Sequence, residues 1–264
     1  MQDLCSRRWS KWGVVVALLF AVEFVPGSVA AQGVVSRTPN LTDGWVSSPG
    51  NLQFNFNHRF RLVSTSQGER VLNSPSFLLG APLPGRVLLA GRYASNSRVS
   101  EDRVNEWELF TRWAPPIPLG RVHVAVTAAY NGAAESVDGE LSIRVPVHLP
   151  ESSPIDSIGF LGAGRVLSET RNSGTTGWFA GAGATLHFGD RFAISGDGGR
   201  MGADGIESKA VWGAAVQVRI PTTPHTFSIH ATNTRTATLQ GASAADRTHW
   251  GFEFTVPLTL SRYF

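Results

Sequence analysis

The sequence predicts an all-β chain, an up-and-down antiparallel barrel of twelve strands that crosses a membrane. Three observations predict it. Apolar residues recur with a period of two over about ten residues at a time, and no helical period is sustained. The connections alternate between short turns rich in proline or glycine and longer polar loops. Aromatic residues collect near both ends of the strands, in one phase of the alternation.

The N-terminus carries Arg7, Arg8 and Lys11, then an apolar run from Gly13 to Val22, then "PGSVAAQ". A basic region, a short apolar region and small residues form the three-part pattern of a cleaved export signal, so residues 1–31 are expected to be removed after Ala31. Glu23 cuts the run short of the 20 or so apolar residues that a spanning helix needs. Residues 32–49 are polar and contain proline, and are expected to be an irregular segment on the periplasmic side.

The barrel domain is expected over 50–264, with strands at 50–63, 75–82, 86–95, 105–114, 121–131, 139–149, 158–168, 176–188, 191–200, 209–220, 225–235 and 249–264. The first, "NLQFNFNHRFRL", puts Leu52, Phe54, Phe56, Phe60 and Leu62 on one face and Asn, Gln and Arg on the other. "RVHVAVTAAY" and "GELSIRVPVHL" alternate in the same way, as do "GWFAGAGATLHF" and "VWGAAVQVRI". The second and ninth strands have the weakest alternation. The turns "PLPG", "PPIPLG", "PESSPIDS", "GD" and "PTTP" fall on one side. The loops "STSQGERVLN", "NSRVSEDRVN", "NGAAESVD", "ETRNSGT", "MGADGIES" and "TATLQGASAADRT" fall on the other. That asymmetry is the one found in outer-membrane barrels, with turns periplasmic and loops extracellular. Tyr93, Trp107, Tyr130, Trp178, Trp212 and Trp250 lie at the loop ends; Trp113, Phe188, Phe192, Phe227 and Phe264 lie at the turn ends. Two such girdles mark two membrane interfaces.

The last strand, "HWGFEFTVPLTLSRYF", alternates to a terminal phenylalanine. It resembles the carboxy-terminal recognition signal of bacterial outer-membrane barrels, and that resemblance implies that Phe264 is read by the barrel assembly machinery. Arg262 departs from the pattern, standing where an apolar residue is usual. "NLQFNFNHRF", "VLNSPSFLLG" and "NEWELFTRW" resemble segments of an uncharacterised family of bacterial membrane-bound β-barrel domains. That resemblance implies location and fold and adds no chemistry.

Charge and cysteine exclude several classes. The chain carries +3; without residues 1–31 it would carry about +2, too little to argue for nucleic acid. The single cysteine, Cys5, lies in the expected signal, so no disulfide or thiol chemistry is expected afterwards. The seven histidines are scattered and none is paired at metal-ligand spacing, although His123 and His148 could meet across one hairpin. Ser228 and His230 share the inward face of one strand, and no nucleophile elbow occurs. The glycines of "GFLGAGR" and "GAGAT" precede no Lys-Ser/Thr and open no helix. No cofactor, metal or catalytic residue is therefore expected.

The inward face carries the information. It takes Arg59, Arg61, Arg92, Arg112, Arg144, Arg165 and Arg219 against Glu106, Glu108, Glu140 and Glu253, with several Asn and Gln. Charges facing lipid are costly, so their confinement to one phase implies a wet or self-paired interior. Two readings stay open: the lining of a passive pore for small polar or anionic solutes, or an Arg/Glu ladder that plugs the lumen of a structural or partner-binding barrel. A lipid-modifying enzyme is a third. Twelve strands about 4.8 Å apart and tilted about 40° enclose a backbone cylinder roughly 24 Å across, which inward arginines narrow to about 10 Å or less. Arg59 and Arg61, beside a run of asparagines, are expected to be the charges most open to solute.

Overall fold

A computed structural model describes residues 37–97, 99, 104–117, 120–170, 173–205 and 207–259. The expected export signal and Phe264 lie outside them. Twelve strands close into one barrel in chain order, each antiparallel to its neighbours and β1 paired with β12. They are β1 (Asn51–Thr65), β2 (Gly68–Leu83), β3 (Val87–Ala94), β4 (Glu106–Trp113), β5 (His123–Asn131), β6 (Ser136–His148), β7 (Ser157–Leu167), β8 (Gly177–Phe188), β9 (Phe192–Ala203), β10 (Ala210–Arg219), β11 (Thr226–Thr232) and β12 (His249–Thr259). One short helix, α1 (Leu239–Ser243), lies between β11 and β12.

The alternation dictates which side each residue takes. Along β10, Val211, Gly213, Ala215 and Gln217 are buried inside, while Trp212, Ala214, Val216 and Val218 face out. The loop-end aromatics stand on the outer surface, and Trp107, Trp178 and Trp250 are about half exposed. Trp107 and Tyr130, on neighbouring strands, hold their rings 5.4 Å apart. At the other end Trp113 is exposed, and Phe188 meets Phe192 at 5.6 Å. Between the two rings runs a band of exposed Leu, Val, Ile and Ala. Among the described residues no helix is long and apolar enough to cross a membrane; the strands supply the outer apolar surface.

Two connections differ from expectation. The segment expected as the loop "STSQGERVLN" is hairpin: β1 and β2 stay paired to Thr65 and Gly68, well past the Phe60–Trp250 pair where β12 ends its contact with β1. That extension mixes polar and apolar residues on both faces, with Leu62 opposite Val71 and Val63 opposite Arg70, and so gave no alternation to read. The β11–β12 loop carries α1, whose N-cap Thr238 accepts from the Gly241 N–H, and all five helical residues are buried. This loop folds into the barrel mouth.

The largest departure concerns residues 37–48. They are irregular, as expected, but they run inside the barrel and not beside it. Thr38, Asn40, Leu41, Asp43, Val46 and Ser47 are all buried. Leu41 and Val46 pack in one apolar cluster with Leu78, Leu88, Phe110 and Phe179 of the wall. Gly44 makes the bend: its φ is +74°, and a Cβ there would meet Ala125 Cβ at 2.7 Å. Any side chain is barred on both counts.

Candidate functional site

The lumen is the candidate site, in three tiers: polar contacts fill the first two, and the third, at the turn end, is open. At the loop end the β11–β12 loop is seated on wall carboxylates. Glu106 accepts from Thr236 (3.1 Å), Thr238 and Asn131 (2.5 Å). Glu108 pairs with Arg92 at 2.5 Å and accepts from the Leu239 N–H at 2.6 Å. Gln240 of α1 donates to Asp138 and to the Glu169 carbonyl. Arg235 holds Asp246 across the base of the loop (2.5 Å). Burial alone would raise the Asp246 carboxyl, but the Arg235 guanidinium holds it below the usual carboxylate range.

The middle tier binds the internal segment. Arg59, fully enclosed, donates to the carbonyls of Pro39 (2.8 Å), Thr236 (2.8 Å) and Thr234 (3.2 Å). Arg165 donates to Glu140 (2.7 Å), the Asn40 carbonyl (2.8 Å) and Ser243 (3.1 Å), and stacks on Phe179 at 4.7 Å. Asn40 donates twice to Asp197, each at 2.8 Å, and its amide oxygen accepts from Thr232 and Thr234. Thr42 donates to Glu140. Arg112 donates to Thr127 (2.9 Å) and the Trp45 carbonyl (3.3 Å). Gln217 donates to the Arg37 carbonyl, and the Arg37 side chain pairs with Glu253, which Asn55 and Asn57 also bind.

Two of the cavities beside the segment, of about 30 and 20 Å³, are each bounded partly by Arg37, Leu78 and Arg92. Each holds about one water, so neither passes a solute. Burial pushes the Asp43 carboxyl up from its ordinary value, against the pull of Arg144 and Arg112. In the third tier, at the turn end, the inward positions are His123, Arg144, His187 and Arg219, and they are open or half-open.

The candidate lining residues thus divide. Arg59, Arg92, Arg112, Arg165, Glu106, Glu108 and Glu253 face inward and are buried, engaged by the segment, the loop or one another. Arg61 is half-buried on the protruding hairpin, and Arg144 and Arg219 sit at the turn end. Arg59 corrects the expectation of an open, solute-facing charge, because backbone carbonyls of two irregular segments enclose it. Two inward carboxylates were missed: Asp138, in a segment read as loop, and Asp197, on a strand with weak alternation. They bring the wall to seven arginines against six carboxylates, so the expected surplus of positive charge nearly vanishes. His123 stands opposite Arg144, and His148 opposite Ser157, so the two histidines are not brought together. Ser228 and His230 are buried inside the barrel and do not face lipid. Among the described residues no three His, Cys, Asp or Glu side chains converge as metal ligands.

No protein-family model and no curated protein matches the chain. Solved structures share its architecture. An outer membrane channel from Pseudomonas putida F1 superposes with a TM-score of 0.50 at 9% identity, over 89% of this chain and all of the other. The NanC porin gives a TM-score of 0.47 at 8% identity, over 77% of this chain and 97% of its own. LpxR from Salmonella typhimurium gives 0.41 at 9% identity, over 78% and 99%. At such identities the likeness is one of fold, that of an outer-membrane β-barrel.

Proposed function

We propose that this chain is an outer-membrane barrel closed at rest by its own N-terminal segment, and that it passes small polar or anionic solutes only when that segment leaves the lumen. One observation carries the reading: residues 38–47 fill the lumen and are held through exchangeable hydrogen bonds. Arg59, Arg112 and Arg165 all donate to backbone carbonyls of this segment. Carbonyls bring no opposing charge, so water or a passing anion can take their place. The wall itself is a closed ladder that does not need the segment to complete any strand pairing. Exposed apolar residues between two aromatic rings favour a bilayer over water around the barrel, and lipid is its first partner.

Planar-bilayer recording of the refolded chain from Gln32, beside a form lacking residues 32–48, tests this. The full form is expected to be silent or to open only in brief events. The shortened form is expected to conduct steadily, with a slight preference for anions that fades as salt rises. Steady conductance by the full form would overturn closure at rest. A silent shortened form would leave the structural, partner-binding reading in its place.

A further inference from the structure

At the turn end of the lumen the side chains have no such partners. Arg144 on β6 faces inward, its Nε is buried, and it makes no hydrogen bond or ion pair among the described residues. Arg86, in the turn before β3, has its Nε buried and unpartnered in the same way. His123 stands directly across from Arg144 in the β5–β6 ladder, which places their Cβ atoms about 5 Å apart. On β7 the position facing this group is Gly159. A Cβ built there would lie 3.7 Å from Arg144 Nε and 4.0 Å from both Arg144 Nη2 and His187 Nε2. The guanidinium of β6 and the imidazole of β8 therefore converge on the space that the missing side chain leaves.

The surrounding charge is lopsided. Arg144, Asp156, Arg219 and His148 act on His187, and Arg144, Arg86 and Asp43 act on His123. Of the two carboxylates, Asp156 already accepts the Gly189 N–H. Asp43 spends one oxygen on the Trp45 N–H at 3.0 Å and leaves the other buried and unpartnered. Arg144 and His187 thus face a gap with little opposing charge, and a guanidinium Nε that is buried without an acceptor is costly.

We propose that this gap, bounded by Arg144, His187, His123 and Gly159, is a binding site for a small soluble oxyanion of the sulfate or phosphate class. A tetrahedral oxyanion offers several acceptors to a guanidinium and to the imidazole N–H groups that converge here. The groups lie on the inward phase, so the ligand reaches them through the turn-end opening of the barrel and not from the surrounding lipid. The site lies beyond Asp43, on the turn side of the internal segment, and it stands whether or not the lumen conducts.

Calorimetric titration of the refolded chain from Gln32 with sodium sulfate, in detergent and again in lipid nanodiscs, tests the proposal. Saturable binding is expected near neutral pH, where sulfate is fully charged and the guanidinium supplies the opposing charge. Arg144→Gln should weaken binding at least tenfold. Gly159→Val, which keeps every charge and fills the gap, should do the same, with the heat-modifiable gel mobility of a folded barrel as the check on both. Arg191→Gln, an exposed charge at the same end, should bind as the parent does. The proposal is overturned if the parent shows no saturable sulfate binding or if Gly159→Val binds as tightly. A loss at Arg191 equal to that at Arg144 would overturn it too, since that is diffuse attraction.

Discussion

Glu140→Ala is expected to destabilise the barrel by about 3–5 kcal/mol, the range for removing one partner of a buried ion pair. Glu140 is 2% exposed and stands between two guanidiniums, Arg165 Nε at 2.7 Å and Arg112 Nη2 at 3.7 Å. It also accepts the Thr42 hydroxyl of the internal segment. Without the carboxylate both arginines keep their charge, because guanidinium does not lose its proton in proteins. They then remain enclosed with only neutral acceptors. Since Arg165 also holds the Asn40 carbonyl and Ser243, the internal segment and the α1 loop should loosen together. Urea unfolding in lipid vesicles measures the cost. Glu207→Gln, at an exposed Glu207–Lys209 pair, is the comparison and should fall within about 0.5 kcal/mol of the parent. Equal midpoints for the two variants would mean that the internal ladder contributes nothing to stability.

Gly213→Val is expected to convert a silent barrel into a leaking one without unfolding it. Gly213 is on the inward face of β10, and a Cβ there would meet Asn40 Nδ2 at 2.7 Å and Pro39 Cβ at 2.8 Å. Both colliding atoms belong to the internal segment and neither to the wall. A branched side chain suits a strand, so the barrel can keep its ladder while the segment gives way. Asn40 would then lose its bonds to Asp197, and Arg59 its bond to Pro39. Release of a small anionic dye from vesicles should rise well above that of the parent. Unchanged retention, with the barrel folded, would mean that the segment can shift within the lumen and still close it.

Most of the barrel was legible because one physical fact repeats twelve times. A wall with lipid on one side and polar groups on the other forces a period of two, and the observed strands begin and end close to the expected limits. The exceptions occur where that constraint is lifted. The β1–β2 extension past Phe60 mixes polar and apolar residues on both faces, and its Arg70 and Glu69 read as loop. Asp197 sits in "ISGDGGR", where glycines blur the phase. The internal segment, "RTPNLTDGWVSS", was the hardest to place, since a polar, proline-containing stretch looks the same in water as in a polar lumen. A signal for it did exist. The small inward residues of β8 to β10 leave space inside the wall, and at Gly213 it is Pro39 and Asn40 that fill it. Arg59 misled for the same reason. Strand patterns count carboxylates across a wall, but they cannot show carbonyls arriving from irregular chain.

The occupied lumen can be tested at Leu41, which is 2% exposed and makes no side-chain hydrogen bond. Cys5 is the chain's single cysteine, so a chain refolded from Gln32 with Leu41→Cys carries one thiol. A membrane-impermeant maleimide should leave that thiol unlabelled in the folded barrel and label it fully after heat unfolding. The same reagent should react at once with Ser66→Cys on the exposed hairpin tip. Labelling of the folded Leu41→Cys protein at the rate of Ser66→Cys would contradict a barrel filled by its own chain.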